Sequence, residues 1–170
     1  MSISKRTRVL AAVLAAVMPF TGAGAAVYAK SKTATFDVTL RIIADCTITA
    51  NNINFGESGR ITTAISGSST IAVTCTNTTP YNVGLDAGTG AGSTGTTRYL
   101  AGAAGNTDKV AFNLYREPNA NLWGNNQGVD TASGTGNGVA QTLTVYGQIP
   151  VQDAPTPDNY KSTITATVYF

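Results

Sequence analysis

Thr163-Ile164-Thr165-Ala166-Thr167-Val168-Tyr169-Phe170 alternates without a break: Ile164, Ala166, Val168 and Phe170 share one face, and Thr163, Thr165, Thr167 and Tyr169 share the other. A period of two, carried by β-branched and aromatic residues, is the mark of a half-buried strand. The same pattern recurs upstream. It predicts strands at Thr35–Ile42, Thr47–Phe55, Ser69–Thr76, Tyr81–Asp86, Lys109–Arg116, Gln141–Ile149 and Ser162–Phe170, with short edge segments at Arg98–Ala101 and Leu122–Trp123. Between them lie stretches rich in Gly, Asn, Ser and Pro, and 87–97, 101–108 and 124–138 read as surface loops. No window has the period of an amphipathic helix. Many short strands separated by turn signals predict an all-β, antiparallel β-sandwich in one domain.

The sequence is expected to stop inside its last strand, with nothing after Phe170 to pair with the free side. A strand completing the sandwich would then come from elsewhere. Thr35–Ile42 is the candidate, because Phe36, Val38, Leu40 and Ile42 line one face and Thr35, Asp37, Thr39 and Arg41 the other. An exposed apolar strand is normally an aggregation hazard, whereas a protein that polymerises by strand addition uses it. Burying four such side chains contributes roughly 6–12 kcal/mol gross, an upper figure because an extended reference state exaggerates the gain. The other reading makes Thr35–Ile42 the first strand of a self-contained sandwich.

Compartment is decided at the start of the chain. Lys5, Arg6 and Arg8 precede the apolar run 9–20, and small residues fill 22–29, so 1–29 is expected to be an export signal. Cleavage fits after Ala25 or after Ala29, and the second is preferred. A membrane-spanning helix needs roughly 20 mostly apolar residues, and Pro19, Thr21, Gly22 and Gly24 interrupt this stretch early. Removing the signal takes three of the 11 basic residues and none of the 9 acidic ones, leaving a formal charge of −1. No basic patch remains to neutralise a row of phosphates, which argues against a nucleic-acid partner.

Cys46 and Cys75, the only cysteines, lie downstream of the signal in a compartment that permits disulfides. A bridge between them would close a loop of about 30 residues and contribute roughly 3–4 kcal/mol on the chain-entropy model. Two buried free thiols are the other possibility.

Chemistry is hard to find. The chain has no histidine, which removes Ser-His-Asp and Cys-His catalysis and the commonest transition-metal ligand. Two cysteines alone make no structural zinc site, and no metal or cofactor is expected. Gly90-Ala91-Gly92-Ser93-Thr94-Gly95 fits the dinucleotide fingerprint, yet Thr96-Thr97-Arg98 and another turn follow where a helix must begin. The region around Asp130 lacks the ligand spacing of a calcium loop and reads as a hairpin tip. Trp123 near Tyr115 and Arg116 would make an aromatic glycan platform if exposed, although a single tryptophan in such a sandwich more often packs inside.

The order of several short motifs resembles the spore coat protein U domain family, which includes pilin subunits of archaic chaperone–usher pili. The carriers are Asp45-Cys46-Thr47 after the alternating segment, Asn54-Phe55-Gly56, and the second cysteine in Ile71-Ala72-Val73-Thr74-Cys75-Thr76. Asn113-Leu114-Tyr115-Arg116, Asn121-Leu122-Trp123-Gly124, Tyr146-Gly147-Gln148-Ile149-Pro150 and Asp158-Asn159-Tyr160-Lys161 follow. The resemblance implies an incomplete immunoglobulin-like sandwich completed by donor-strand exchange, with 30–43 as the donor segment and 44–170 as the pilin domain. It implies Phe36, Val38, Leu40 and Ile42 as donor side chains, Cys46–Cys75 as the family's disulfide, and Ile164, Ala166, Val168 and Phe170 as an edge of the acceptor groove. The implied partners are neighbouring pilin subunits, a periplasmic chaperone and an outer-membrane usher, on the way to a cell-surface pilus that supports attachment and biofilm formation. The family also includes secreted and coat proteins, which keeps the self-contained sandwich open.

Overall fold

The computed structural model describes residues 29–153 and 155–170. The expected export segment therefore lies outside the described residues except for Ala29. Leu40–Phe170 forms a compact unit that holds every strand assigned among the described residues.

These strands are β1 (Cys46–Ala50), β2 (Ile65–Cys75), β3 (Pro80–Leu85), β4 (Arg98–Ala101), β5 (Lys109–Glu117), β6 (Ala120–Leu122), β7 (Ala132–Thr135), β8 (Gln141–Ile149) and β9 (Ala166–Tyr169). One sheet runs β1-β2-β8-β5-β4, with β6 paired to β5, and the other runs β7-β3-β9. Every pairing is antiparallel. Alternation sends Ile71, Val73, Cys75, Val145 and Ile149 from the larger sheet and Tyr81, Val83 and Leu85 from the smaller into one shared core. The expected all-β antiparallel sandwich is what the chain forms.

Cys46 and Cys75 are joined by a disulfide, directly opposite each other at the start of the β1–β2 ladder.

β2 begins at Ile65, four residues before the expected Ser69, and three other segments also depart from the sequence expectation. β1 ends at Ala50 rather than Phe55, because the chain turns away and lays Ile53 and Phe55 over Gly67 and Gly147, which face each other across β2 and β8. A Cβ on Gly147 would come within 2.8 Å of the Phe55 ring, so the paired glycines make the seat for that ring. β7 falls inside 124–138, which the composition marks as a loop. Its Gly134 lies flush against the Tyr81 ring, where any Cβ would collide. β9 begins at Ala166 rather than Ser162, because side chains hold the lead-in: Thr163 N–H donates to Thr89 Oγ1 (2.9 Å) and Thr165 N–H to Asp86 Oδ1 (2.9 Å).

Thr35–Ile42, expected as a strand, belongs to neither sheet.

Candidate strand-acceptor cleft

β1 and β9 are the terminal strands of their two sheets and lie beside one another. Each is paired on one side, β1 with β2 and β9 with β3, and among the described residues no strand pairs with the other side. Two open edges from two sheets therefore meet at one cleft. Cys46, Ile48, Ile164, Ala166, Val168 and, from β8, Leu143 are half-buried against the core there, where their neighbours inside the sandwich are fully buried. Phe170 is 59% exposed.

The backbone of β9 is oriented for pairing on its free side. Asp86 N–H donates to Thr165 O (3.1 Å), which makes 86 and 165 a hydrogen-bonded pair and continues as Gly84 with Thr167 and Asn82 with Tyr169. In an antiparallel ladder alternate residues point their N–H and C=O to opposite edges. Ile164, Ala166, Val168 and Phe170 therefore present theirs to the open side, where unpaired groups form a template for another strand.

Phe36, Val38, Leu40 and Ile42 are 85%, 86%, 85% and 75% exposed. Large apolar side chains at every second position, all in water, leave an unfilled hydrophobic requirement.

The connection leading into β9 is positioned by a polar clasp. Asp158 Oδ2 accepts from Ala103 N–H and from Asn106 Nδ2 (both 2.8 Å), and Asp108 Oδ2 accepts from Thr156 N–H (2.8 Å) and Thr156 Oγ1 (2.6 Å). Tyr160 O–H donates to Thr156 O (2.7 Å) and accepts from Asn106 Nδ2 (3.0 Å). The Thr156 hydroxyl and N–H hold the Asp108 carboxyl below the usual carboxylate range, and Asn106, with the N–H groups of Asn159 and Ala103, does the same for Asp158. A carboxylate whose pKa is depressed on folding contributes stability that is complete above its unfolded value, about 3.9, and is lost as pH falls through the folded value. Melting temperature is expected to decline as pH drops through and below about 4, the window set by those carboxylates. A variant with Asp108→Asn and Asp158→Asn should lose that part of the slope, and an unchanged slope would place its origin elsewhere.

Sequence reasoning did not single out Arg98, which is 1% exposed. Its Nε donates to Asp86 O (2.9 Å) and its Nη2 to Leu85 O (3.0 Å) and Trp123 O (2.7 Å), tying the end of β3 to β4 and to the segment after β6. Burial lowers its pKa to about 10, an effect opposed by Asp86 and Asp130. Trp123 is also 1% exposed and donates its indole N–H to Val83 O (2.8 Å), so it is a core residue and offers no glycan platform.

The remaining candidate motifs are structural. Residues 90–95 form turns, with Ser93 N–H donating to Gly90 O and Thr94 bridging Thr97, and a strand follows at Arg98. Asp130 closes its own loop by accepting Asn126 N–H at 2.7 Å. Among the described residues no group of three His, Cys, Asp or Glu side chains is placed to hold a metal ion.

In fold the chain is similar to a chain of the CsuC-CsuE chaperone–tip adhesion subunit pre-assembly complex from archaic chaperone–usher Csu pili of Acinetobacter baumannii, with a TM-score of 0.56 and 20% identity. The match covers 76% of this chain and 40% of that one. A weaker likeness, TM-score 0.38 at 14% identity over 72% of this chain and 78% of the other, is to the E. coli Hda pilus minor tip subunit HdaB. No curated protein matches the chain. The Spore Coat Protein U domain matches residues 32–167, and the chain belongs to that family.

Proposed function

We propose that this protein is a structural pilin subunit of a chaperone–usher pilus, with no catalytic role. It is exported, held in the periplasm by a chaperone, and polymerised at an outer-membrane usher. The cleft between β1 and β9 then receives Phe36, Val38, Leu40 and Ile42 from a neighbouring subunit, by donor-strand exchange. The fibre so formed on the cell surface supports attachment and biofilm formation.

The observation that carries this reading is the pairing of two adjacent open sheet edges, lined by half-buried apolar side chains, with an exposed alternating apolar segment in the same sequence. Each supplies what the other lacks. The alternative, a self-contained secreted or coat sandwich, has Thr35–Ile42 pairing within its own chain, and the exposure of its four apolar residues favours the pilin.

The test transposes the segment. Residues 30–170 are compared with a variant in which 30–43 is removed from the front and attached after Phe170 through a short Gly/Ser linker. The transposed protein is expected to be a monomer melting well above the untransposed one, which polymerises or is unstable. A stable monomer that is weakened by the transposition would make Thr35–Ile42 an internal strand.

A further inference from the structure

We propose that the outer face of the smaller sheet carries a binding site for a neutral sugar, in a groove lined by Pro80, Asn82, Gln127, Tyr169 and Phe170. The inference goes beyond the pilin reading and does not depend on it.

Tyr81, Val83 and Leu85 point into the core, so Pro80, Asn82 and Gly84 of the same strand point outward. Asn82 stands opposite Tyr169 in the β3–β9 ladder, and the two share this outer face. The segment after Trp123 folds back over the sheet, with Leu85 N–H donating to Gly124 O (2.8 Å) and the Asn125 side chain lying on Gly84, where any Cβ would collide with it. Tyr169 O–H donates to Asn125 Oδ1 (2.9 Å), which fixes ring and amide together. The loop then closes on itself: Gly124 N–H donates to Asp130 O (3.0 Å), Asn126 N–H to Asp130 Oδ1 (2.7 Å) and Val129 N–H to Asn126 O (3.0 Å). Gln127 sits on this braced turn.

Thr131 Oγ1 donates to Asn82 Oδ1 (3.4 Å), which orients that amide and leaves its NH₂ group free. Among the described residues nothing hydrogen-bonds Asn82 Nδ2, Asn125 Nδ2 or the Gln127 amide. Primary amides supply donors and acceptors without charge, and Pro80, Tyr169 and Phe170 set apolar surface beside them. A pyranose ring has the complementary halves, a C–H face that packs on apolar or aromatic surface and a rim of hydroxyls. The groove is an open depression of about 390 Å³, within the range of small-ligand sites. No charged side chain lines it, and the charged residue of the loop beside it, Asp130, is an acid. An anionic sugar would find no cation there, so the occupant is neutral. The groove lies on the face of β9 turned away from the core, so a strand completing the sandwich does not enter it.

Residues 30–170 are tested on an array of glucose, galactose, mannose and N-acetylglucosamine glycans beside sialylated and sulfated ones, and affinity per subunit for the methyl glycoside of the best-retained sugar is measured by titration calorimetry. Neutral glycans should be retained equally at 0.1 M and 1 M salt, since no ion pair is there to be screened. Gln127→Ala, a change at an exposed position, and Asn82→Ala should each weaken binding by about 5-fold, the worth of one hydrogen bond, with the melting temperature of Gln127→Ala unchanged. Thr142→Ala, exposed on the larger sheet, should bind as the parent does. No retention of any neutral glycan, retention confined to sialylated or sulfated ones, or equal affinity in the parent and Gln127→Ala would overturn the inference. Leu40→Asp keeps this failure apart from failure of the pilin reading: it should bind the sugar with unchanged affinity per subunit whether or not it polymerises, and loss of binding in that variant would place the sugar elsewhere.

Discussion

Leu40→Asp is expected to leave the subunit folded and disulfide-bonded while abolishing its polymer. Leu40 is the third of four apolar residues spaced by two, fully in water in the subunit, so the substitution costs the isolated chain almost nothing. On the proposed donor-strand reading the same position would enter the acceptor cleft of a neighbouring subunit. The variant forfeits about 2–3 kcal/mol of burial and must either bury a carboxylate without a partner or protonate it, several kcal/mol more. About 5 kcal/mol corresponds to a loss of more than three orders of magnitude in affinity. Fibres counted by electron microscopy should disappear while secretion of the folded subunit continues. Thr39→Asp, on the opposite face of the segment, should retain them. Normal fibres from Leu40→Asp would sink the assignment of the donor face.

Trp123→Ala is expected to remove most of the stability of the subunit itself. The indole is fully enclosed, and truncating a buried tryptophan costs about 3–5 kcal/mol. Val83 O would also lose the indole N–H that now satisfies it. Domains of this size have a stability of about 5–15 kcal/mol in total, so a loss of this size is a large share of it. Urea unfolding of the transposed protein should show the midpoint collapse for Trp123→Ala and an intermediate loss for Trp123→Phe, which keeps a ring but no N–H donor. A change within about 0.5 kcal/mol, the range of surface substitutions, would contradict the enclosure of this residue.

The two predictions draw on different degrees of legibility. The strands with regular alternation, β3, β5 and β8 above all, could be read from sequence because one face of each is buried and the other is not. The cysteine pair and the exposed run from Phe36 to Ile42 were legible for the same reason: residue type alone carries the signal.

What escaped the sequence was set by tertiary pairing. β7 is Ala-Ser-Gly-Thr, with little propensity for a strand, and it exists because β3 offers an edge and Tyr81 a surface for Gly134. Arg98 begins a short edge segment and would be assigned to solvent, yet its register opposite Phe112 turns it inward. Three backbone carbonyls there substitute for water. No local pattern announces those carbonyls, because they belong to residues 12 to 25 positions away. The cleft was legible only in outline. Alternation marked Ile164, Ala166, Val168 and Phe170 as one face, but that β1 forms the facing wall depends on how the two sheets close.

The placement of the disulfide also has a mechanical meaning. In the proposed fibre under tension, residues 35–42 would be the tow line, and their pull would meet the domain at Asp45, one residue before Cys46, where the first hydrogen bonds to β2 are made. Without the bridge, a pull there would act on the first rung of the β1–β2 ladder and peel β1 from β2 one hydrogen bond at a time, the weakest way to load a sheet. With Cys46 covalently joined to Cys75 on that first rung, the load passes into β2, which is bonded to β8 along nine residue pairs. Force then loads the middle of the larger sheet in shear, and the joint between subunits can be strained without unravelling the strand that anchors it.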